Sequence, residues 1–145
     1  MINLNPKIWG PHAWFFIESI IIALPNNIDT NMQNELKHFF ISLQSLLPCE
    51  KCRLHFSEYL KKTNIIDYDF STKDNVINWV YSLHNNVNSI NNKKHISIDK
   101  MLQFYNDKYN IETKSSYYDI GFIIIYLLLI IYLIKCSLQN IKSQL

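Results

Sequence analysis

TNMQNELKHFFISLQSLLPCEKC, residues 30–52, sets the architecture of this chain. Leu36, Phe39, Phe40, Leu43, Leu46 and Leu47 recur at three and four residues, the spacing of an amphipathic helix from about Thr30 to Leu47. Pro48 disfavours helical geometry at Leu47, so the chain breaks there. A new helical pattern opens at Cys49-Glu50-Lys51-Cys52 and carries Phe56, Tyr59 and Leu60. Two thiols three residues apart on a helix share a face and can close a disulfide. A helix N-terminus also favours the thiolate, through its free N–H groups and its dipole. A redox dithiol is therefore the first reading of Cys49 and Cys52. A zinc half-site is the rival, and it needs two further ligands.

Working outward, the pattern stays helical. Helix one is expected from about Pro11 to Leu24, with Pro11 at the first helical position and Trp14, Ile17, Ile21 and Leu24 as its stripe. Helix four opens with Ser71 or Thr72 as cap, places Lys73-Asp74 in its first turn and runs to about Asn91. Its stripe is Val76, Val80, Leu83 and Val87. A short fifth helix from about Ile98 to Tyr109 carries Met101, Leu102 and Tyr105. No segment has a convincing strand period. The chain holds only 2 Gly and 4 Pro, too few for a hairpin-rich sheet. The fold class is all-α, a helical bundle.

Composition narrows the function. A chain of 145 residues is one domain with one appendage, and 48% hydrophobic content is ample for a core. A net charge of +2 gives no reason to expect nucleic acid as partner. Cysteines number 3, which excludes a disulfide-stapled scaffold and leaves Cys136 as an odd thiol. No cleavable signal pattern opens the chain.

The C-terminal part reads differently. Asn106 to Ser116 is polar and linker-like, and Ile120 to Ile134 carries no charge. Fifteen helical residues span roughly 22 Å against a hydrocarbon core of ~30 Å. Tyr117, Tyr118 and Lys135 supply interfacial anchoring that lengthens the effective span. The expected organisation is a helical domain at 1–110, a linker at 111–117, a transmembrane helix at 118–136 and a short polar tail at 137–145. A buried sixth helix is the alternative.

Two further motifs carry chemistry. Trp9-Gly10-Pro11-His12-Ala13-Trp14 opens helix one, and His84-Asn85-Asn86-Val87-Asn88 lies on helix four. His84 and Asn88 are four apart and share a face, with Tyr81 one turn earlier. A ring that stacks, beside amides that donate and accept, suits a flat heteroaromatic ligand with polar edges. By spacing alone, a solvated Asn-rich face is the preferred reading. His12, His38, His55 and His95 receive no role, although His55 completes a C-x-x-C-x-x-H that keeps the zinc reading open.

In combination, W-G-x-x-x-W, P-C-x-x-C and W-x-x-x-x-H-N-x-V-N resemble the Erv/ALR family of FAD-linked sulfhydryl oxidases, in order, spacing and helical context. The resemblance runs from about Ile8 to Tyr109 and is strongest to members encoded by large DNA viruses. It implies a four-helix bundle plus a short fifth helix, FAD held between helices, and a homodimer held by helices one and two. Gly10, Trp14, Trp79, His84, Asn85, Asn88, Lys93 and Tyr105 match cofactor-binding positions. Cys52 matches the cysteine nearest the flavin, and Cys49 the one that exchanges with substrate. Glu18 stands where many members carry His, Leu47 where many carry Tyr, and Tyr105 where Trp is common.

The implied reaction oxidises protein thiols through the Cys49–Cys52 disulfide, passing electrons to FAD and then to molecular oxygen to give hydrogen peroxide. Cys136 would lie across the bilayer from Cys49, so substrate is expected to meet Cys49 directly. The expected partner is thioredoxin-like or another dithiol protein. The implied location is a single-pass C-terminal anchor in a virion or host internal membrane, with the catalytic domain on the cytoplasmic side. No metal ligand set is assigned. A non-flavin thiol-disulfide carrier and a structural zinc-binding membrane adaptor are the other readings.

Overall fold

The computed structural model describes residues 2–110, 124–132 and 134–135. Five helices make up the first unit and its edge: α1 (Pro6–Ala23), α2 (Thr30–Leu46), α3 (Glu50–Thr63), α4 (Lys73–Ile90) and α5 (Ile98–Tyr109). No strand forms among the described residues; an isolated bridge between Asn27 and Thr72 is the nearest approach to one. The expected all-α class holds.

Caps explain the boundaries. Asp29, Cys49 and Thr72 each accept a hydrogen bond from the backbone N–H three residues on, as N-cap side chains do. Helix one corrects the expectation. It starts at Pro6, not Pro11, because Asn5 caps it by accepting from the Lys7 N–H, and Pro6 takes the early position where a missing N–H costs nothing. Pro11 sits inside the helix. Asn64, Asn92 and Asn110 take left-handed backbone angles. With so few glycines, asparagine does the turn work that αL geometry demands.

α2 packs on α3, and α1 on α4. Their inward faces, joined by Phe70 from the connection between α3 and α4, form one core that includes Ile21, Phe40, Val76, Trp79, Val80 and Leu83, all fully buried. Phe40, Tyr59 and Phe70 surround Trp79 with ring centroids 4.8 to 5.7 Å away. Such tilted and edge-on packing suits the ring quadrupoles. Most of the expected stripe residues are in this core or against it. Leu46, 63% exposed at the last residue of α2, and the half-buried Val87 are the exceptions.

The chain divides into two compact units, Met1–Tyr105 and Asn106–Leu145. In the second, residues 124–132 and 134–135 are helical, and Ile125, Leu128, Ile131 and Tyr132 are exposed apolar side chains. Among the described residues no helix is long and apolar enough to cross a membrane. The linker at 111–117, the ends of the expected span at 118–136, and Cys136 lie outside the described residues.

Candidate active site

The redox corner sits where α2 hands over to α3. Cys49 and Cys52 form a disulfide, with Cα atoms 5.1 Å apart. Cys49 is the N-cap of α3, and its Sγ accepts from the Cys52 N–H at 3.2 Å. The Pro48 break gives Cys49 its extended backbone and aims its sulfur back over the first turn. On reduction, a thiolate at this position faces the positive end of the α3 dipole. Arg53 ties the corner together: its side chain donates to Leu47 O at 2.7 Å, and its N–H to Cys49 O at 3.0 Å.

A second tie comes from the N-terminus. Leu4 N–H donates to Pro48 O at 2.7 Å, and Asn3 Oδ1 accepts from Glu50 N–H at 3.1 Å. Residues 3 and 4 thus bond to both neighbours of Cys49. Trp9 Nε1 steadies this strap by donating to Leu4 O. Cys49 is only 5% exposed, whereas Cys52 is half-buried. Sequence patterning does not show this strap, because Asn3 and Leu4 lie outside every periodic segment.

The other cluster joins three helices. His84 of α4 stacks on Trp14 of α1, centroids 4.0 Å apart and planes within 2°. His84 Nδ1 lies 2.6 Å from Glu18 Oε1, and Tyr105 O–H of α5 donates to Glu18 Oε2 at 2.7 Å. Glu18 is 4% exposed. A carboxylate this deep needs both partners, since an unpaired buried charge is costly. Glu18 was visible in the sequence as a departure from the family pattern, but not as the hub of a network.

The remaining residues fall as follows. Asn85 and Asn88 are buried, not on the solvated face that spacing favoured. Asn85 clamps the loop before α5: its Nδ2 donates to Ile96 O, and its Oδ1 accepts from Ile96 N–H and from Asn88 Nδ2. Lys93 is exposed, with its N–H on Asn88 O at 2.8 Å. Trp79 is 1% exposed, and its Nε1 has no hydrogen-bond partner among the described residues. Gly10 lies inside α1, where glycine is unfavourable, yet an added Cβ would meet nothing within 4 Å. Packing among the described residues therefore gives no reason for a glycine there. The structure brings Trp14, Glu18, His84 and Tyr105 into one cluster; Gly10 and Lys93 stand outside its contacts. Among the described residues, no three His, Cys, Asp or Glu side chains converge to hold a metal.

These features find counterparts in known proteins. The Erv1 / Alr family model matches residues 11–110. A probable FAD-linked sulfhydryl oxidase of Acanthamoeba polyphaga mimivirus is 30% identical over 116 residues, covering 79% of this chain and 80% of the relative. An FAD-linked sulfhydryl oxidase of African swine fever virus is 28% identical over 97 residues, covering 67% and 79%. Among solved structures, the yeast Erv1 core superposes with a TM-score of 0.65 at 18% identity, over 74% of this chain and 88% of its own. The FAD-binding domain of Saccharomyces cerevisiae Erv1 gives the same score over 72% and 97%. At that identity the two structures establish the shared helical fold.

Proposed function

The chain belongs to the Erv1 / Alr family, and on that premise we propose that it is an FAD-linked sulfhydryl oxidase that forms disulfides in protein substrates. The observation that carries this reading is the Cys49–Cys52 disulfide at the N-terminus of α3, in a bundle that also presents the Trp14–His84 stack.

The residues present suit FAD. A stacked aromatic pair offers a face for a flat ring. Trp79 Nε1 is a buried donor in want of an acceptor, and Gly10 leaves clearance at the surface of α1. Trp14, Trp79, His84 and Asn88 would hold the cofactor. Asn85 would act on it through the Ile96 loop, and Lys93 from the rim.

The chemistry begins at sulfur. A substrate thiolate attacks Cys49 Sγ, and Cys52 leaves as a thiolate beside the α3 N-terminus. A second substrate thiolate attacks the substrate sulfur of that mixed disulfide, and Cys49 leaves. Substrate is now oxidised by two electrons, and Cys49 and Cys52 hold them as a dithiol. FAD, when bound, accepts that electron pair and passes it to molecular oxygen, yielding hydrogen peroxide. The family resemblance assigns Cys52 to deliver the pair and Cys49 to meet substrate. Cys49 is buried, and residues 3 and 4 bond to both of its neighbours, so in this proposal substrate entry requires that strap to shift.

Assembly and location belong to the same proposal. The exposed side chains of Phe15 and Phe16 on α1 support a homodimer built on helices one and two. The charge-free run Ile120 to Ile134 supports a membrane anchor; a virion or host internal membrane, with the catalytic unit on the cytoplasmic side, is the location this proposal adopts from the viral resemblance. A thioredoxin-like or other dithiol protein suits Cys49 as partner. The test is the purified full-length chain with dithiothreitol. It should carry a flavin spectrum, consume oxygen and release peroxide in equal amount. A colourless protein that exchanges disulfides without oxygen uptake would favour a non-flavin carrier.

A further inference from the structure

Glu18 is buried, ionisable and used by no step of the thiol chemistry. It lies 66 residues from His84 and 87 from Tyr105, yet touches both. Its two oxygens have different tasks. Oε2 accepts from the Tyr105 hydroxyl, which fixes the plane of the carboxylate. Oε1 is 2.6 Å from His84 Nδ1. An oxygen so close to a ring nitrogen requires one proton between them. With Glu18 as a carboxylate that accepts at both oxygens, that proton sits on Nδ1.

We propose that Glu18 is a positioning residue of the cofactor pocket: it holds His84 as the Nδ1–H form, locked parallel to Trp14. Nε2 is then the nitrogen that His84 offers to a ligand. As at a metal site, the partner of one ring nitrogen decides what the other can do. Trp14 fixes the tilt of the ring by stacking, and Glu18 fixes its rotation. Tyr105 acts one step further back, through the carboxylate. This rests on the FAD reading for the identity of the ligand, but not for the state of His84.

The test uses full-length protein with ¹⁵N-labelled histidine, free of cofactor and then with FAD. Long-range proton–nitrogen spectra should show His84 protonated at Nδ1 in the wild type. In Glu18→Leu the ring should revert to the Nε2–H form that free imidazole side chains prefer. Tyr105→Phe should keep Nδ1–H, since Oε1 is untouched. The Kd for FAD should rise about tenfold in Glu18→Leu, the order of one lost charge-assisted hydrogen bond. If that variant does not fold, Glu18→Met, similar in size and without a carboxylate acceptor, replaces it, with weaker FAD binding at an unchanged melting temperature of the cofactor-free form. Nδ1 found unprotonated in the wild type overturns the proposal. So does wild-type FAD affinity in a folded Glu18 variant. A wild type that binds no FAD would sink the oxidase reading, while the spectrum of His84 would still decide the part played by Glu18.

Discussion

The Cys49–Cys52 corner and the Trp14–Glu18–His84–Tyr105 cluster are built in opposite ways. In the corner, the disulfide, the cap and the Arg53 ties all join residues within six positions of each other. The strap from Asn3 and Leu4 comes from afar. In the cluster, Trp14, Glu18, His84 and Tyr105 come from three helices, and no contact among them forms unless the bundle has closed. The difference predicts separable failures. A lesion in the corner stops electron entry and leaves the fold. A lesion in the core behind the cluster removes fold and cofactor together.

The sharpest break of that contrast is Cys52→Ser. It should abolish thiol oxidation while FAD stays bound. The closed loop is so short that its disulfide contributes about 2 kcal/mol by chain entropy. Oxygen uptake and the flavin spectrum, read on one sample, check this. Loss of flavin with the thiol would show that corner and pocket are one unit. Trp79→Ala tests the other side. It empties a ring-lined site in the core and should cost about 3–5 kcal/mol in urea unfolding, with flavin lost in parallel. Retained flavin in a destabilised protein would take Trp79 out of the pocket.

The same contrast decides what could be read from sequence. The C-x-x-C after Pro48 is a local pattern, and so are the helix periods and the Thr72 cap; each was legible because its partners lie within a turn or two. Phe56, Tyr59 and Leu60 are buried as their spacing implied. Glu18 was not legible as a hub, since a lone Glu inside an apolar stripe gives no sign of a His 66 positions on. Asn85 and Asn88 looked solvated because amides usually are; the Ile96 clamp that buries them depends on a loop whose path no periodicity encodes. Spacing alone starts helix one five residues late, because two prolines compete for its start and the Asn5 cap decides between them.

The strap gives a smaller and finer test. Asn3→Ala removes the side chain that caps Glu50 N–H, a loss of about 1 kcal/mol for such a cap. Stability should fall slightly. If the strap covers Cys49, small thiols should attack the disulfide several-fold faster than in wild type, by the order of the added open population. Stopped-flow reduction with dithiothreitol measures it. Slower attack would mean that residues 3 and 4 help orient Cys49 and do not guard it, and the corner would then be as dependent on distant residues as the cluster is.

The smallest effect concerns pH, and it belongs to the aromatic core around Trp79. Burial, reinforced by the nearby Tyr68 and opposed by a hydrogen bond with Ser82, pushes the Tyr59 hydroxyl from 10.0 up to about 12. Tyr59 lies against Trp79, and its hydroxyl donates to Trp79 O at 3.4 Å. A group whose folded value lies above its unfolded value stabilises the fold fully below the unfolded value. That contribution is lost as pH rises through the folded one. Between pH 10 and 12 the unfolded chain gives up this proton while the folded chain keeps it, so stability falls in that window. Other tyrosines and lysines titrate there too, so the difference against Tyr59→Phe is the quantity to measure. Urea midpoints at pH 9 and 11 should show wild type losing about 1 kcal/mol more than the variant, on the scale of 1.36 kcal/mol per pKa unit. Oxygen uptake should not follow that loss, because the disulfide corner is bonded within itself. If activity and stability fall together across this window, the corner draws its geometry from the aromatic core, and the separation between the two regions fails.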